Sequence, residues 1–191
     1  MGLKPNREQA LELFLEYNSS DALKKHAFAV ETVMRHYAAK MGEDPEKWGV
    51  IGLLHDLDYD RYPDEHCQKT QEIMIERDID EDYIRAVLSH GWGMRNNIEP
   101  ILPMEKVLYA IDEVTGLINA TILMRPSKSV LDLEVSSVRK KFKDPKFAAG
   151  VSRDVVKKGA EIMGVTVDDL FAECITALQS NPEEVGMKGN L

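Results

Sequence analysis

The chain is expected to be all-α, on two features of its sequence. Apolar residues recur at three- and four-residue spacing through most of its length, and runs of β-branched residues with period two are few. With 43% apolar residues over 191 positions, it is long enough for one globular core and too apolar to stay disordered.

A first helix starts after Asn6 and carries Ala10, Leu11, Phe14 and Leu15. A second starts near Ser19 or Ser20, either of which can cap free amides, and runs towards Met41 and a stop at Gly42. Asp44 and Pro45 read as cap and first-turn proline of a third helix ending near His55. Residues 57–63 form a polar, aromatic-bearing loop, after which helical periodicity resumes through His66, Thr70, Ile73 and Met74. Asp80 caps a fifth helix bearing Ile84, Val87 and Leu88. The glycines, prolines and asparagines of 91–103 mark a long loop. A strongly apolar sixth helix runs from about Met104 to Leu123 and stops before Pro126. Shorter helices cover Val135 to Phe142, Arg153 to Met163 and Val167 to Leu178. The expected organisation is a helical core over 1–125 and a basic helical extension over 126–191, packed on the core, with a flexible polar tail after 182.

The net charge of −9 argues against nucleic-acid or membrane-surface binding. Positive charge is concentrated between Arg125 and Lys158, where ten Lys or Arg accompany four Asp or Glu. No run approaches the roughly 18 apolar residues of a membrane span, and the first residues lack a secretion signal, so a cytoplasmic location is expected. Cys67 and Cys174 lie far apart without a Cys-x-x-Cys arrangement and read as ordinary thiols.

Chemistry concentrates in polar groups set within apolar stripes. On the second helix, His26 shares a stripe with Leu23, Ala27, Val30, Met34 and Tyr37. A buried imidazole must be met by a carboxylate, a carbonyl or a metal. The doublet His55-Asp56 ends the apolar run Trp48-Gly-Val-Ile-Gly-Leu-Leu54. On the sixth helix, Asp112 falls among Leu108, Ile111, Thr115, Ile118 and Ile122, with no cation at suitable spacing on that helix. A carboxylate there calls for a partner or a coordinated cation. Two imidazoles and two carboxylates suit Mn²⁺, Fe, Co²⁺, Ni²⁺ or Zn²⁺ and suit Ca²⁺ poorly.

The order His26, then His55-Asp56, then Asp112 resembles the HD-domain superfamily of metal-dependent phosphohydrolases, over about residues 20 to 120. One branch of it is also similar in Leu53-Leu-His-Asp-Leu-Asp-Tyr59 and Asp112-Glu-Val-Thr-Gly-Leu117. The resemblance implies an HD-domain helical bundle whose ligands are His26, His55, Asp56 and Asp112. His66 and His90 stand where dinuclear members carry histidines for a second ion, and Asp56 would then bridge the two. His36 points roughly 80° away from His26 and is not expected to ligate.

Beyond the doublet, Asp58 is placed to orient or deprotonate a water, or to brace a ligating imidazole. Arg61 is the preferred phosphate contact of this loop, and Arg125 and Lys128 could close over an anionic ligand. Trp92 could stack on a nucleobase or pack its loop against the core. Some family members carry Glu or Lys where this chain has Leu57, Asp58 and Tyr59, which leaves the proton donor open.

The resulting expectation is a phosphohydrolase using one or two divalent transition-metal ions, with Asp56 and Asp58 at the reaction. Its substrate would be a nucleotide or a small phosphorylated metabolite. A di-iron oxygenase on the same ligands and a non-catalytic nucleotide-binding regulatory module are the alternatives, and the oligomeric state is not legible.

Overall fold

The computed structural model describes residues 2–191, and among them the chain is all-α, with two isolated β-bridges and no sheet. Two compact units divide it at Tyr109 and Ala110. The first contains α1 (Arg7–Tyr17), α2 (Asp21–Met41), α3 (Pro45–Leu54), α4 (Gln68–Glu76) and α5 (Glu81–Leu88). Helix α6 (Pro103–Leu123) begins in the first unit and ends in the second, which also holds α7 (Val135–Phe142), α8 (Arg153–Met163) and α9 (Val167–Ser180).

The expected caps set the helix starts. Asn6, Ser20, Asp44 and Asp80 each accept a hydrogen bond from a free amide in the first turn of α1, α2, α3 and α5. Helix α2 stops at Gly42, whose φ of 73° is in the left-handed region that glycine enters without strain.

In the first unit, α2 and α3 pack most extensively against each other, and glycine makes their approach possible. A Cβ on Gly52 would sit 3.1 Å from the Glu31 Cα, so the α3 backbone rests nearly against α2. Every residue of α3 from Trp48 to Leu54 is buried, as its unbroken apolar run requires. Phe14, Met34, Ile51, Leu53 and Leu54 are completely buried, each side chain contributing roughly 1.5–3 kcal/mol of burial free energy. Glu31 lies within this packing at 3% exposure because it pairs with two guanidiniums, those of Arg7 at 2.6 Å and Arg35 at 2.9 Å.

In the second unit, Phe142 of α7 meets Phe171 of α9 edge to face, with ring centroids 5.5 Å apart. Helix α8 comes so close to α6 that a Cβ on Gly159 would stand 2.6 Å from the Ala110 Cα. The stretch after 182, expected to be polar, carries two apolar side chains that are seated against the unit. Val185 and Met187 are buried, and the Met187 carbonyl accepts a hydrogen bond from the Val130 amide at 2.8 Å. Two apolar side chains two residues apart suffice to seat a segment whose remaining residues face water.

Candidate metal centre

The close approach of α2 and α3 delivers the first pair of donors. His26 lies one turn into α2, and His55 is the residue at which α3 stops. Their Nε2 atoms are 3.2 Å apart. Asp56 follows, 7% exposed, with Oδ2 3.3 Å from His55 Nε2 and 3.7 Å from His26 Nε2.

The other oxygen of the same carboxylate faces a second pair. His66 follows a short 3₁₀ turn at Pro63–Glu65, and His90 lies within another at Ser89–Gly91. Both are buried, with Nε2 atoms 3.0 Å apart. Asp56 Oδ1 is 3.5 Å from His66 Nε2 and 3.8 Å from His90 Nε2. One carboxylate therefore stands between two imidazole pairs.

Hydrogen bonding on the far side of the His55, His66 and His90 rings fixes which nitrogen points inward. His55 Nδ1 donates to the Gly52 carbonyl at 2.7 Å and His90 Nδ1 to the Val87 carbonyl at 2.5 Å. His66 Nδ1 donates to Asp58 Oδ1 at 2.7 Å. Carbonyl and carboxylate oxygens only accept, so Nδ1 carries the proton and Nε2 of each neutral imidazole presents a lone pair. Two lone pairs 3.0 Å apart repel unless a cation or a proton lies between them.

The donor set fits divalent transition metals on this ground. Two nitrogen or oxygen donors each about 2.0–2.2 Å from one ion lie at most about 4.4 Å apart. Every separation given above meets that limit. Imidazole with carboxylate suits first-row ions and suits Ca²⁺ poorly.

Asp58 is completely buried, unlike an ordinary loop carboxylate. Its Oδ1 holds His66, and its Oδ2 accepts from the Thr70 amide at 2.8 Å, so of the roles open to it the geometry favours bracing an imidazole. The loop carrying it is pinned from the connection between α1 and α2: Asn18 Nδ2 donates to the Leu57 carbonyl at 2.7 Å, and Asp60 accepts from the Ser19 and Ser20 amides.

Arg61 lies over the Tyr17 ring at 4.9 Å and donates to the Glu16 carbonyl, beside an exposed hollow lined by Ser19, Ser20 and Asp60. His36 stacks edge to face on Tyr37 and belongs to none of the metal-competent groups found among the described residues. Trp92 packs against Tyr109, with ring centroids 5.6 Å apart.

The remaining predicted residues belong to the second unit. Asp112 is half-buried on α6, and its carbonyl accepts from the Thr115 hydroxyl. Arg125 pairs with Asp132 at 2.8 Å and holds that carboxyl below the usual aspartate range, while Lys128 is exposed.

Cys67 is the residue of this site that the sequence does not reveal. It is 2% exposed, with Sγ 3.8 Å from His90 Nε2. A lone cysteine between a histidine and a glutamine carries no sequence signal. Cys174 is also buried, and burial pushes its thiol up.

The family model of the HD domain matches residues 23–117, which includes all five donors described above and Asp112. No curated protein and no solved structure matches the chain.

Proposed function

Residues 23–117 are an HD domain, and from that premise we propose that the protein is a metal-dependent phosphohydrolase acting on a nucleotide or a small phosphorylated metabolite. The observation that carries this reading is the Asp56 carboxylate, with Oδ2 turned to His26 and His55 and Oδ1 to His66 and His90. Asp56 would be shared by two ions, with His26 and His55 on one side and His66 and His90 on the other. Asp112 would complete the set as the family's final acidic position.

A divalent ion held there would lower the pKa of a coordinated water towards about 7 and stabilise charge on phosphoryl oxygens. The chain's own part is to hold donors ready. Gly52, Val87 and Asp58 keep the three Nδ1 protons in place, leaving the inward nitrogens free to coordinate. Arg61, Arg125 and Lys128 are the cations proposed to meet substrate phosphate. Arg61 would have to leave the Glu16 carbonyl to do so.

Elemental analysis of the purified protein, followed by a screen of phosphate mono- and diesters with Mn²⁺, Fe²⁺, Co²⁺, Ni²⁺ and Zn²⁺, tests the reading. Hydrolysis supported by a redox-silent ion, with metal and turnover both lost in Asp56→Ala, is the expected result. An Asp56→Ala protein with full metal content and rate overturns the assignment. Oxygen consumption by iron-loaded protein that leaves phosphate esters intact would point to an oxygenase instead. Thermal stabilisation by nucleotides without any product would point to a binding module.

A further inference from the structure

We propose that Cys67 is a sulfur ligand of the ion position formed by His66 and His90, so that the two positions of the centre differ in chemistry. The position at His26 and His55 offers nitrogen and oxygen. The position at His66 and His90 offers nitrogen, oxygen and sulfur, and selects a thiophilic ion such as Zn²⁺ over Mn²⁺. The inference rests on the metal-centre reading above.

Three features carry it. The first is reach: donor atoms of His66, Cys67 and His90 all lie within 4.8 Å of one another, and all three residues are buried. A thiolate about 2.3 Å and an imidazole about 2.1 Å from one ion are at most about 4.4 Å apart. The sulfur is 3.8 Å from His90 Nε2.

The second is direction. Neighbouring residues in extended chain project to opposite sides, yet the Cys67 sulfur lies beside the His90 nitrogen that also faces His66. The backbone reverses at Cys67, whose φ of 70° and ψ of −40° fall near the rare tight γ-turn, a conformation that strains any residue with a Cβ. The third is room. A Cβ on Gly91, directly after His90, would lie 2.7 Å from the Cys67 sulfur, so glycine there leaves the thiol its place. A cysteine that merely fills a core requires neither the reversed backbone nor the adjoining glycine.

Cobalt titration of the metal-free full-length protein tests the proposal with a readout independent of activity. Two Co²⁺ per chain are expected to bind. One of them should bring a near-ultraviolet sulfur-to-cobalt charge-transfer band. Cys67→Ser and Cys67→Gly should both lose the band, while Cys174→Ser keeps it. Glycine is the more informative replacement because it suits the positive φ, and continued binding of one Co²⁺ at the His26 and His55 position separates loss of the sulfur from misfolding. Gly91→Ala removes no donor and should shift or weaken the band. In competition, Cys67→Gly should lose Zn²⁺ affinity by more than the roughly 10–100-fold that removing an outer hydrogen-bond partner costs, with Mn²⁺ affinity nearly unchanged.

Two bound cobalt ions with no sulfur band, or a band that persists in Cys67→Gly, overturn the sulfur assignment and leave the metal centre standing. Failure to bind cobalt at all removes the metal centre and the sulfur assignment together.

Discussion

Replacing Asp58 by asparagine changes one oxygen into an amide group and should disable the second ion position proposed at His66 and His90. The carboxylate accepts from His66 Nδ1 at 2.7 Å and from the Thr70 amide at 2.8 Å in a site without solvent exposure. An asparagine has one oxygen and can satisfy only one of these donors. If the oxygen turns to Thr70, the amide group faces His66 Nδ1 and drives the imidazole proton to Nε2, where it blocks coordination. If the oxygen turns to His66, the Thr70 amide is left opposite another donor. In that second case a buried donor loses its acceptor, at about 1–3 kcal/mol, or a fall in melting temperature of about 2–12 °C for a chain of this size. Affinity for the second ion should fall by roughly 10–100-fold. Equilibrium dialysis with elemental analysis measures the affinity, and nitrogen-resolved NMR of the His66 ring reports its tautomer. An Asp58→Asn protein that binds two ions at wild-type affinity, with Nδ1 of His66 still protonated, would refute the bracing role.

Gly52→Ala should destabilise the first unit by about 1–3 kcal/mol, because the new methyl would lie 3.0–3.1 Å from Met34 Cγ and from the Glu31 backbone, which cannot swing aside; a chemical melt unchanged from wild type would argue against the tight α2 and α3 contact. Chelation should lower stability, since saturating a site at 100 times its dissociation constant contributes about 2.7 kcal/mol; a melting temperature indifferent to added metal would speak against ions held by the folded state. The Glu46 carboxyl is held below the usual glutamate range, first by its hydrogen bond from Arg35. Its contribution is therefore present above the ordinary glutamate value and is lost as pH falls through the depressed one. With Glu46 half exposed, that contribution is about 0.2–1 kcal/mol. The stability gap between wild type and Glu46→Gln should close in acid, and a gap that stays constant down to the lowest pH tested would exclude this assignment.

Most helix ends were legible because they are decided locally. Asn6, Ser20, Asp44 and Asp80 cap where a short polar side chain precedes an apolar period, and no distant contact is needed to place them. The imidazoles were legible for a related reason: His26 breaks a stripe that should be apolar, and His55-Asp56 ends an unbroken greasy run. What escaped depends on parts of the chain far apart in sequence. Asp58 reads equally as a water-orienting group or as a brace for an imidazole, and only the contacts with His66 and Thr70 favour the second. The partners that hold the Arg61 guanidinium, the Tyr17 ring and the Glu16 carbonyl, lie more than forty positions earlier. Cys67 depends on a left-handed backbone angle and on Gly91, and no single-residue propensity anticipates either.

The anchors of the inward-facing rings differ in portability. His55 leans on the carbonyl of Gly52 and His90 on that of Val87, each three positions back in the same helix end. Four consecutive residues thus encode the aim of either ring, and transplanting such a tetrapeptide to the end of another helix should carry the aim with it. His66 depends on Asp58 across an intervening turn. Its orientation is a property of the whole 58–70 segment and would be left behind in such a graft.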